Sequence, residues 1–166
     1  LGALDAKWAR EAGQSDPDHD ELAQVASAYG NLGRASVFER LEPALRHESP
    51  RVRRSAAYAL RKLRSKQSRD RLLELTSDPD RYVRSSVYRA LAKRPDADAE
   101  VSESVLDSLF ERGLPDDGRA SALHLIMRND SPALREKVKT LLDTAGLRPE
   151  ERERITKTLL QRGISL

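Results

Sequence analysis

Val52-Arg53-Arg54-Ser55-Ala56-Ala57-Tyr58-Ala59-Leu60 returns 31 residues later as Val83-Arg84-Ser85-Ser86-Val87-Tyr88-Arg89-Ala90-Leu91, with Val, Arg, Ser, Ala and Leu in register. A Ser-Pro or Asp-Pro turn, Ser49-Pro50 or Asp78-Pro79, precedes each copy. A fainter copy lies one period upstream, where Val25, Ala28 and Leu32 match Ala56, Ala59 and Leu63. Apolar residues three and four apart share one face of a helix. A single helix of this kind cannot bury that face alone, so a fixed period of this size marks units that stack and cover one another. Such stacking offers a ligand an extended surface rather than a catalytic pocket.

The same spacing continues outward. Val37/Phe38/Leu41/Leu45 forms a stripe before the motif, and Leu72/Leu73 lies between its two copies. Val101/Val105/Leu106/Leu109, Ala122/Leu123/Ile126, Leu134/Val138/Leu141/Leu142 and Ile155/Leu159 follow. Gly13, Gly33, Gly113, Gly146 and Gly163 stand where a helix ends in a left-handed residue. Pro17, Pro50, Pro79, Pro115, Pro132 and Pro149 fall where helices begin, and Ser36-Val-Phe-Glu39 has the capping-box pattern. These signals predict about ten helices in antiparallel pairs, near 3–13, 20–32, 36–47, 51–64, 68–77, 81–93, 99–112, 117–129, 132–145 and 149–162. No alternating strand pattern and no domain linker appears, so residues 1–166 read as one all-α domain.

Composition agrees. Of 166 residues, 38% are hydrophobic and only 4% aromatic, so the core must be built from Leu, Val and Ala, which suits packed helices better than a sandwich. There is no apolar run of the ~18 residues a membrane span needs. The absence of cysteine excludes disulfides and thiolate metal sites but leaves the compartment open, with the cytoplasm slightly favoured over an exported setting. The chain starts at Leu1 rather than Met and reads as a fragment of a longer or processed protein.

The motif resembles HEAT repeats, especially the short-period kind also seen in phycobilin-lyase-type proteins. Ala28-Tyr29-Gly30-Asn31-Leu32-Gly33 resembles the end of a HEAT second helix, and Pro43 matches the proline common in a HEAT first helix. Asp78-Pro79-Asp80-Arg81-Tyr82-Val83-Arg84 resembles the turn between the two helices. The resemblance implies a right-handed α-solenoid of about five helix pairs, with second helices lining the concave side. It also implies a structural ladder between neighbouring repeats, to which Arg53, Asp78 and Arg84 are assigned. The motif covers Val25 to Leu91. After Pro95 the helical period persists, but the turn becomes Pro115-Asp116-Asp117-Gly118-Arg119 and the spacing stretches to about 35.

Catalytic chemistry is not legible. Asp16-Pro-Asp18-His19-Asp20-Glu21 fails as a calcium loop, because Glu21 and Ser27 occupy the positions needing Gly and an acid, and it reads as helix capping. His19, His47 and His124 have no partner at ligand spacing, and Trp8 reads as packing for the first helix. No metal, cofactor or catalytic residue is assigned.

Charge is the feature above background. Residues 46–94 hold 15 Lys and Arg against 5 Asp and Glu, between acidic stretches on either side, while the whole chain is only +3. With Val52, Ala56, Ala59 and Leu63 facing the core, Arg54, Tyr58 and Arg61 lie opposite; Ser85, Arg89 and Lys93 follow one repeat on, and Arg128 extends the row. These seven residues form the candidate binding groove. Its first reading is a non-catalytic scaffold that takes a protein partner with an acidic surface or segment. Nucleic acid held through its phosphates is a second reading, and a subunit of a phycobilin-lyase-like enzyme a third.

Overall fold

The computed structural model describes residues 1–110, 113–129, 131–144 and 146–161, and the backbone alone at 99, 108 and 109. The described residues form an α-solenoid of ten helices without strands: α1 (Gly2–Ala12), α2 (His19–Leu32), α3 (Phe38–Leu45), α4 (Pro50–Ala59), α5 (Lys66–Glu74), α6 (Arg81–Ala92), α7 (Ala99–Ser104), α8 (Asp116–Arg128), α9 (Pro132–Thr144) and α10 (Pro149–Gln161). The expected ends at 112, 145 and 162, the stop signal at Gly163 and the side chain of Leu109 lie outside the described residues.

Local chemistry sets the boundaries. Asp18 caps α2 by accepting from the backbone N–H groups of Asp20 and Glu21, so the acidic run before that helix is spent on its first turn. Asp80 does the same for α6, and Ser65 and Ser68 build a capping box on α5. The pattern at Ser36 does not act as a cap: Ser36 sits inside a 3-10 turn, Ala35–Val37, and no side chain caps α3. Gly33, Gly113 and Gly146 take positive φ as expected of helix ends, whereas Gly13 remains right-handed at φ −86°. The single helix expected over 99–112 is interrupted. Ser102 and Ser104 turn their hydroxyls back onto the carbonyls of Asp98 and Val101, and α7 gives way to a 3-10 turn, Leu106–Phe110.

The helices α2, α4, α6 and α8 form one layer, α2 against α4, α4 against α6 and α6 against α8, while α1, α3, α5 and α7 each pack on the following helix of their pair. The motif residues Val52, Ala56, Leu60, Leu63, Val87, Ala90 and Leu91 are fully buried between the layers. Each buried Leu or Val of this kind stabilises the fold by roughly 1.5–3 kcal/mol. Where even helices cross, side chains are nearly absent. A Cβ on Gly30 would lie 2.5 Å from the Ala59 Cβ, and one on Gly118 would lie 2.8 Å from the Ser85 Cα. Ser55 donates across the first of these joints to the Ala23 carbonyl at 2.6 Å. The residues that define the repeat therefore bring four helix faces side by side. No described helix is long and apolar enough to cross a membrane.

Candidate functional site

The solvent-facing side of the even layer carries a shallow groove of about 610 Å³ that crosses α2, α4, α6 and α8. Its lining follows helix register. The second residues of the four helices are Asp20, Arg51, Tyr82 and Asp117; the fifth residues of the first three are Ala23, Arg54 and Ser85; the ninth are Ser27, Tyr58 and Arg89. Stacking at a fixed period turns each helical position into a row across the groove, and each row has its own chemistry.

At the centre Tyr58 lies under three cations: the Arg61 guanidinium is 3.9 Å from its ring centroid, that of Arg89 4.9 Å, and the Lys93 ammonium 5.7 Å. Stacking of this kind holds a cation at low entropic cost while leaving its N–H groups able to meet an anion. Burial pushes the Tyr58 phenol up, but a hydrogen bond with Lys93 and the charges of Arg61, Lys93 and Arg89 outweigh it and leave the phenol below its ordinary value. Arg54, exposed beside this cluster, has no hydrogen-bond or ion-pair partner among the described residues. Towards the two ends the cations are already paired. Arg51 meets Asp20, and Arg89 meets Asp117 at 3.3 Å.

Of the seven sequence-assigned groove residues, Arg54, Tyr58, Ser85 and Arg89 line the groove, and Arg61 and Lys93 flank it over the Tyr58 ring. Ser85 is 3% exposed and donates to Asp117 at 3.0 Å. Arg128 holds the same register but is spent elsewhere: its guanidinium donates to the carbonyls of Ala92 and Ala97, at 3.2 and 2.6 Å. Asp20, Arg51, Tyr82 and Asp117 were missed by the sequence reading. Stepping 31 residues either way from Arg51 gives Asp20 and Tyr82, and the longer spacing of the later repeat gives Asp117, so the signal was present in the period.

The ladder residues meet at Asp78. Arg53 forms a bidentate pair with the Asp78 carboxylate, at 2.8 and 3.0 Å, and donates to the carbonyls of His47 and Glu48 in its own turn. That pair raises the Arg53 pKa, more than burial lowers it. Arg84 donates to the Asp78 backbone carbonyl. A second tie was not foreseen. Arg94, wholly buried, donates to the carbonyls of Leu60, Leu63 and Ser65, to the Ser68 hydroxyl and to both oxygens of Asp96. At the front edge His19 and His47 stand edge to face at 5.3 Å, with Trp8 against His47 at 6.4 Å. Residues distant in sequence thus converge, though among the described residues no group of three or more His, Asp or Glu could hold a metal ion.

The description of HEAT repeats fits two overlapping stretches of the chain, residues 7–92 and 38–127. No curated protein sequence matches it. HEAT repeats are generally protein-interaction scaffolds and are typically non-catalytic. The matched stretches span the 31-residue motif, the stacked even layer and the turn that carries the Arg53–Asp78 pair, and the chain belongs to the HEAT-repeat family.

Proposed function

We propose that this protein is a non-catalytic scaffold that binds an acidic segment of a protein partner in the groove across α2, α4, α6 and α8. The observation that carries this reading is the central cluster, in which an unpaired Arg54 stands beside Tyr58 and its three stacked cations. Arg and Tyr are common interface anchors because they supply contact area and directional donors together. A carboxylate entering between Arg54 and Arg89 gains two charge-assisted partners, which for exposed groups are individually weak but act together.

Nucleic acid fits the groove less well. A phosphate backbone would carry negative charge past Asp20 and Asp117 as well as past the arginines, and the exposed aromatic surface needed for base stacking is confined to Tyr82 and part of Tyr58. The phycobilin-lyase-like reading has no feature of the groove in its favour.

Titration of a fluorescein-labelled peptide with three central aspartates tests the proposal. The Arg54→Glu/Arg89→Glu double variant should lose binding by at least tenfold with unchanged circular dichroism. Equal binding by both proteins would remove this groove as the site.

A further inference from the structure

The row of second residues, Asp20, Arg51, Tyr82 and Asp117, places an acid at each end of the groove while the cations gather between them. Both acids are about half exposed, Asp20 at 51% and Asp117 at 55% of the side chain, so they face an incoming ligand as well as their internal partners. An evenly acidic ligand would meet repulsion at both ends. We propose, building on the scaffold reading above, that the groove selects a segment whose charges run basic, acidic, basic.

The length of that segment follows from the packing. Neighbouring helices stack ~8–10 Å apart, so the three steps from α2 to α8 cover roughly 24–30 Å. An extended chain advances ~3.3 Å per residue, which sets the segment at about nine residues. Its first basic residue lies over Asp20, its acids lie over Arg54 and Arg89, and its last basic residue lies over Asp117. Tyr82, 47% exposed between these points, offers a ring to whichever side chain crosses α6. The internal pairs Arg51–Asp20 and Arg89–Asp117 act as placeholders: a ligand base that takes Asp117 frees Arg89 for the ligand acid, so the two contacts reinforce each other.

Four labelled nonapeptides decide the matter, measured by anisotropy against the whole chain. The first is neutral, the second has Asp at positions 4 to 6, the third adds Lys at positions 1 and 9, and the fourth is acidic throughout. The third should bind about fivefold tighter than the second, as expected for two exposed ion pairs acting together. In the Asp20→Asn/Asp117→Asn variant this preference should shrink to parity while the second peptide binds at least as well as before. If the second and third peptides bind the original protein equally, or the fourth binds tightest, the charge pattern is wrong and the acidic-segment reading stands. If the second binds no better than the neutral peptide, the scaffold reading of this groove falls with it.

Discussion

The joint between α4 and α6 and the joint between α6 and α8 are built to one plan and finished differently. In each, an arginine near the end of the later even helix reaches back to carbonyls of the preceding repeat. Arg94 does so completely buried, with six hydrogen bonds to five residues, whereas Arg128 is exposed and finds two carbonyls, with Asn129 sharing the Ala97 oxygen. The acids of the turns diverge in the same way. Asp78, its side chain 4% exposed, is consumed by Arg53, while Asp117 stays at the surface and faces the groove. The earlier joint spends its charges on holding repeats together, and the later joint leaves them available to a ligand.

Truncation at the two clamps should separate them most. Arg94→Ala removes six hydrogen bonds and a side chain that is wholly buried, and leaves the part-exposed Asp96 without its ion pair, a loss of about 3–5 kcal/mol. Arg128→Ala, open to water, should cost about 1 kcal/mol or less. Urea unfolding followed by circular dichroism reads both, and similar losses would end the distinction drawn between the joints.

Asp78→Ala should fall just below Arg94→Ala. It leaves the largely buried Arg53 without its carboxylate, which for a broken buried pair costs about 3 kcal/mol. The Asp117→Ala counterpart should change stability by ~0.2–1 kcal/mol, as for exposed pairs, and should alter peptide binding instead. Thermal unfolding and anisotropy on the two variants sharpen the comparison.

The helix crossings should not distinguish front from rear. Gly30→Ala and Gly118→Ala each push a methyl group into the neighbouring helix, and each should lose about 1–3 kcal/mol by overpacking. A tolerated alanine at only one of them would show that one crossing has slack.

The smallest effect concerns the front edge. His47 occupies, one period upstream, the position that Asp78 holds in the next turn. Burial lowers its pKa first, with His19 and Arg53 adding to the shift and Glu48 opposing it. The unfolded chain therefore takes up a proton on His47 at higher pH than the folded chain does. Its effect on stability is absent well above the ordinary value of 6.5 and becomes a growing loss as pH falls below it. His47→Asn keeps an acceptor for the Ser49 N–H, given by Nδ1 in the native protein at 3.1 Å, and should flatten the dependence of stability on pH between 7 and about 5. An unchanged slope would assign that dependence to other groups.

The fold was legible because apolar period and breaker residues act locally. Nine helices fall near their described ends from apolar spacing and Gly and Pro breakers. The break after Ser104 was hidden, since a serine that bonds back to its own helix looks like any other polar helical residue. Four of the groove residues followed directly from taking the face opposite Val52 and Ala56. Asp20 and Asp117 begin helices, where capping explains an acid without any appeal to a ligand, and Arg51 and Tyr82 share that first-turn position. Arg94 was counted as part of a basic surface. Only the return of the chain against Leu60 and Leu63 removes it from water, and no spacing rule within one helix encodes that contact.

The Leu63 carbonyl lies 31 residues ahead of the guanidinium that reaches back to cover it. On a ribosome the acceptors emerge first, and the end of α4 stays wet until most of the following repeat has been made. The joint then closes from behind, each repeat being sealed by its successor. A chain interrupted anywhere between Leu63 and Arg94 presents a quality-control protease with an unsealed helix end, while one interrupted just past Asp96 does not.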